Sequence, residues 1–92
     1  MRSYLSKNIT TTTETTVCST GCVLHAIIIN EKGNGYIQIY DGTSATGTSK
    51  GKIVANATEQ TFDYDITISD SLIIVTDTAV GDITITFSLE GN

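Results

Sequence analysis

The chain has 92 residues, a formal charge of −5, and five cationic residues, Arg2, Lys7, Lys32, Lys50 and Lys52, dispersed along it. One domain is all that this length allows, and dispersed cations on an acidic chain argue against nucleic-acid binding, which needs clustered Lys and Arg to displace counterions from phosphates. Thr (17) and Ile (13) are the commonest residues while Pro and Trp are absent, and no apolar run reaches the roughly 18–20 residues that span a bilayer.

Met1 to Lys7 contains no apolar core of the kind a secretory signal requires, so the expected site of synthesis is the cytoplasm. The first predicted strand runs from Asn8 to Val17. Thr is a good strand former, and the Thr-rich stretch lies between Ile9 and Val17 at even spacing. Residues 1–17 therefore read either as an edge strand with solvated hydroxyls or as an extended arm that adds to a neighbour's sheet, and residues 18–92 as the sandwich proper.

Cys18 and Cys22 flank Ser19-Thr20-Gly21, a spacing suited to a three-residue hairpin loop with the sulfurs across from each other. They can form a disulfide or remain as two half-buried thiols. With His25 they supply three zinc donors, one short of a structural site, and the chain has no other Cys or His. No metal or other cofactor is expected.

The segment Val23 to Ile29 is apolar on both faces, which a pleated strand tolerates only when both sides are covered. His25 within it reads as a hydrogen-bonded core or interface residue. Glu31 to Gly35 reads as a hairpin turn, since no helix follows Gly33-Asn34-Gly35 as a phosphate-binding loop would need. Next come strands at Tyr36 to Tyr40 and Lys52 to Ala57, separated by a loop that opens at Asp41-Gly42, and then a looser link at Asn56 to Gln60.

Phe62 to Ile68 alternates cleanly, with Phe62, Tyr64, Ile66 and Ile68 on one face. Leu72 to Val75 is again apolar on both faces, and Ala79 to Asp82 reads as a tight hairpin into Ile83 to Leu89. The acidic residues Asp63, Asp65, Asp70, Asp77 and Asp82 have no EF-hand spacing and read as a solvated face. Two sequons, at Asn8 and Asn56, carry no weight without a secretory signal. The expected fold is all-β: a single antiparallel sandwich or small jelly-roll-like barrel of about seven strands.

The order of the pieces is more distinctive than any one of them. Thr20-Gly21-Cys22-Val23-Leu24-His25-Ala26-Ile27, then Gly35-Tyr36-Ile37-Gln38-Ile39-Tyr40-Asp41-Gly42-Thr43, then Thr61-Phe62-Asp63, Leu72-Ile73-Ile74-Val75 and Asp82-Ile83-Thr84-Ile85-Thr86-Phe87 follow one another. As a series this resembles small β-sandwich accessory virion proteins of tailed bacteriophages, over about residues 20 to 87. Ser69-Asp70-Ser71 stands where that pattern has Gly. Ile39-Tyr40-Asp41-Gly42 is also similar to one turn of the CUB domain, an extracellular module that can bind Ca²⁺, although that domain's usual cysteines are missing here.

The phage resemblance implies a structural, non-enzymatic protein located in the virion, most readily an oligomeric head decoration or cement protein. Its partners would be the major capsid protein or other virion proteins, and copies of itself, with a homotrimer as the expected form. The apolar surplus and the Thr-rich start give the candidate oligomer or capsid interface: Ile9, Thr11, Thr13, Val17, Ile27, Ile29, Ile73 and Val75. A tail- or fibre-associated receptor- or carbohydrate-binding module is the alternative, with Tyr36, Gln38 and Tyr40 as the ligand platform.

Overall fold

The computed structural model describes residues 4–42, 48–56, 60–77 and 81–89. Among the described residues there are eight strands: β1 (Leu5–Ile9), β2 (Thr13–Cys18), β3 (Cys22–Glu31), β4 (Tyr36–Asp41), β5 (Thr48–Val54), β6 (Thr61–Ile68), β7 (Leu72–Thr76) and β8 (Asp82–Leu89). They form two four-stranded sheets, in the orders β1-β8-β3-β6 and β2-β7-β4-β5. Every pairing is antiparallel. The first strand pairs with the last, the second with the seventh, the third with the sixth and the fourth with the fifth. The chain is thus one long hairpin rolled into a sandwich, which is jelly-roll connectivity.

The strand added to the expected seven comes from the Thr-rich start. Asn8 to Val17 is two strands, β1 in the first sheet and β2 in the second, with the change of sheet at Thr10 to Thr12. Sequence patterning could not show this break, because Thr favours strand throughout. Thr76, only 2 % exposed, holds the crossing. Its hydroxyl donates to the Thr11 carbonyl at 2.7 Å, with the Thr13 carbonyl at 3.2 Å, and accepts from the Thr13 N–H at 3.0 Å.

Three connections expected as hairpins instead cross between sheets. Cys18 to Cys22, Glu31 to Tyr36 and Thr76 to Asp82 each link strands of opposite sheets. Of the consecutive strands, only β4 and β5 pair directly. Stacked sheets lie about 10 Å apart, a gap that a three- to five-residue loop spans as easily as it turns back on itself. The loop at 43–47, the link at 57–59 and the turn residues 78–80 lie outside the described residues, as does the sequon threonine at position 58.

The core is a double layer of isoleucines. Ile27, Ile29, Ile83 and Ile85 from the first sheet pack with Ile37, Ile39 and Ile74 from the second, together with Leu24, Ile68 and Leu72, all at most 1 % exposed. Tyr64 closes one flank by reaching from β6 to Gly51 on β5, where a Cβ would come within 2.9 Å of its hydroxyl oxygen. Burial raises the pKa of this phenol.

Gly81 enters β8 at φ +85, and a Cβ there would collide with the carbonyl oxygens of Glu31 and Lys32. Those oxygens belong to backbone and cannot swing away. Gly81→Ala should lower the free energy of unfolding by about 2–3 kcal/mol, measured by urea denaturation.

Candidate functional site

The two outward-facing sheet surfaces and the strand edges are what this fold presents to partners, and the residues singled out from sequence distribute unevenly over them. Ile9, Ile27 and Ile29 do not form an interface. They are 4 %, 0 % and 1 % exposed within the chain's own core. The reason is a bulge in β3. The pairing of β3 with β8 slips between Leu24 and Ala26, leaving His25 as the extra residue. Cys22 and Leu24 point inward before the slip, and Ile27 and Ile29 after it, so the strand feeds one core along its whole length. Only Val23, Ala26 and Ile28 of its apolar residues face outward.

Ile73 does lie on the outer side of its sheet, yet its neighbours Thr16 and Tyr40 leave it 1 % exposed. Val75 beside it is half-buried, and Val17 packs partly against the core. Thr11 and Thr13 are exposed. From the proposed interface set, Thr11, Thr13, Val75 and part of Val17 therefore remain available to a partner.

Tyr36, Gln38 and Tyr40 alternate along β4 and share the outer face of the second sheet, since Ile37 and Ile39 between them are fully buried. Tyr40 donates its hydroxyl to Gln38 Oε1 at 2.5 Å. Lys52 on β5 pairs with Gln38 and places its ammonium 4.0 Å from the Tyr36 ring centroid. This cation–π contact is a feature the sequence reading missed. Its only sequence signal was the β4–β5 hairpin, which would give the Gln38–Lys52 pairing once the loop length was known.

Cys18 and Cys22 are joined by a disulfide. It links the end of β2 in one sheet to the start of β3 in the other, so it clips the sheets together where a hairpin loop was expected. Both sulfurs are committed to each other, and His25 points elsewhere. Its Nδ1 lies 2.7 Å from Asp65 Oδ1 on β6, and the Tyr4 ring stacks on it at 4.2 Å. Asp65 adopts φ +51, a conformation Asp tolerates better than most residues. His25, read from sequence as a hydrogen-bonded core or interface residue, is hydrogen-bonded but lies outside the core, on the outer side of its sheet, and contacts 40 positions apart left no local signal of its partner.

Three other aspartates have separate structural tasks. Asp77 accepts the Tyr36 N–H at 2.8 Å. Asp82 accepts from the side-chain amides of Asn8 and Asn30, at 2.6 and 3.2 Å, and these hold its carboxyl below the ordinary aspartate value. Asp41, from the Tyr-Asp-Gly motif, accepts the N–H groups of Ser69 and Asp70, each at 2.9 Å. It thereby fastens the β6–β7 connection, where Ser69-Asp70-Ser71 replaces the Gly expected from the resemblance. Among the described residues no three Cys, His, Asp or Glu side chains gather as a metal site would require.

No family model, curated protein or solved structure matches the chain.

Desolvation pushes the Asp41 carboxyl upward, but the N–H groups of Ser69 and Asp70, the Lys50 charge and the Ser71 N–H outweigh it and hold the group below its ordinary 3.8. A pKa lower in the folded than in the unfolded chain adds stability that is present above 3.8 and lost as pH falls through the folded value. Asp41→Ala should therefore lower stability at neutral pH by a screened amount, about 1 kcal/mol or less. Denaturation midpoints of wild type and variant should converge when the pH drops below the ordinary aspartate range.

Proposed function

We propose that the protein is a structural component of a phage particle, a self-associating decoration or cement subunit that binds the assembled head. The observation that carries this reading is the outer face of the first sheet. Apart from His25 at the bulge and the Glu31–Asp82 pairing at one end, the central strands β3 and β8 present only uncharged side chains on that face: half-buried Val23, Ile28, Thr84 and Thr86, with Ala26 and Ser88 already buried among them. Such a surface can be dehydrated against another protein without stranding a charge. Charges lie to its sides, at Asp63 and Asp65 on the edge strand β6 and Asp82 at the end of β8.

Two further features support the same reading. The order of strand and turn motifs resembles that of phage accessory proteins. The Cys18–Cys22 disulfide suits a protein that works outside the reducing cytosol, as a released particle does. The role is mechanical: a subunit that binds only the assembled shell stabilises the shell by mass action. Thr11 and Thr13 at the β1–β2 edge are exposed and offer the partner an uncharged rim.

The grouping of Tyr36, Gln38 and Tyr40 on one face favours a second reading, a receptor- or carbohydrate-binding module of a tail or fibre. Tyr36 is 41 % exposed and flanked by hydrogen-bonding groups. A glycan array would support it through binding that Tyr36→Ala abolishes.

Electron microscopy of particles purified from a culture carrying the native gene tests the first reading. Density for this sandwich is expected on the outer shell, in fixed proportion to capsid subunits. Finding the chain absent from purified particles would overturn the proposal, and finding it at a fibre tip would transfer the role to the second reading.

A further inference from the structure

The outer face of the second sheet carries a charge arrangement that fits a second copy of itself. Glu14 pairs with Val75, Val75 with Gln38, and Gln38 with Lys52. One row of side chains thus crosses all four strands, from an acidic residue on edge strand β2 to a basic residue on edge strand β5. In the next row Thr16, Ile73, Tyr40 and Ser49 are all uncharged. Tyr36 and Val54, directly opposite each other at one end of the face, are 41 % and 46 % exposed, so an apolar step borders the charged row.

From this pattern we infer that two copies of the chain pack through this face about a twofold axis that runs parallel to the strands, between β7 and β4. The row order selects that axis. Rotation about it brings β2 over the partner's β5 and puts Glu14 across from Lys52 of the partner subunit, twice in the pair. An axis across the strands would instead set each β2 over the other β2 and bring like charges together.

The distances are compatible. Packed sheets lie about 10 Å apart with strands within about 30° of each other, a gap that extended Glu and Lys side chains bridge from opposite sides. Lys52 is already held at the face by the Tyr36 ring. A four-stranded face about 15 Å wide and 17 Å long covers roughly 250 Å² in projection, so two copies bury on the order of 500 Å² together, below the roughly 1,000 Å² of a stable specific interface and in the range of transient contacts. The association is accordingly weak and reversible, and it forms a pair where the resemblance led to the expectation of a trimer. It is read from this face alone and holds whether or not the chain belongs to a virion.

Sedimentation velocity of the full chain, with charge reversals, tests the inference. Wild type is expected to form dimers whose dissociation constant rises several-fold between about 50 mM and 500 mM NaCl. Glu14→Lys and Lys52→Glu should each weaken pairing about tenfold or more, and the double reversal should restore it to within about threefold of wild type. The salt series needs no variant, and the two single variants are checked for unchanged melting before comparison. The inference is overturned by a monomer at about 1 mM, by a trimer, by dimers indifferent to salt and to both reversals, or by a double variant no better than the singles.

Discussion

The whole arrangement hangs on one residue of slack in β3. This is the longest strand, and it pairs with β8 on one side and β6 on the other. Ten residues of unbroken pleat would divide its aliphatic side chains between two faces. The bulge at His25 reverses the phase, so that Leu24, Ile27 and Ile29 all enter the same core. On β6 a matching slip leaves Asp65 at φ +51, and the His25–Asp65 pair joins the two irregular sites on the solvent side. The polar cluster and the apolar core are therefore two sides of a single backbone event.

Around that strand, the fold is tied together by a few polar contacts that link elements far apart in sequence. Thr76 holds the crossing from β1 to β2, Asp41 holds the turn between β6 and β7, and the Cys18–Cys22 disulfide joins the sheets at the start of β3. Each sits where the chain passes from one sheet to the other. A rolled hairpin has many such passages and few direct hairpin turns, so its stability against shear between the sheets depends on these ties as well as on the isoleucine layer. The ties also explain why Asp and Thr, read from composition as surface residues, recur at buried or half-buried joints.

The same geometry changes how the apolar surplus is understood. Ile27, Ile29 and Ile73 looked in excess of what a thin core could use, yet the bulge and the cover given by Thr16 and Tyr40 absorb them within one chain. What is left for partners is more modest: on one sheet an uncharged strip along β3 and β8 bordered by the His25–Asp65 pair, Asp63 and Asp82, and, on the other, a mixed surface with an acidic edge and a basic edge. Both follow from alternation along β3, β4, β7 and β8. A surface rich in Thr, Gln and Tyr can be dehydrated at moderate cost, and it favours reversible contact over obligate assembly.

By itself the sequence determined the all-β class, the approximate place of most strands and which face of β6 and β8 turns inward. These depend on local alternation and on turn residues, which are properties of neighbours along the chain. The split of the Thr-rich segment into two strands, the choice between turning back and crossing to the opposite sheet, the bulge at His25, and the Glu14-to-Lys52 row were decided only by the tertiary structure. A crossing loop and a hairpin use the same Gly, Asn and Asp residues. A bulge is fixed by the strands on either side of it, and a row across a sheet exists only once four distant segments share one register.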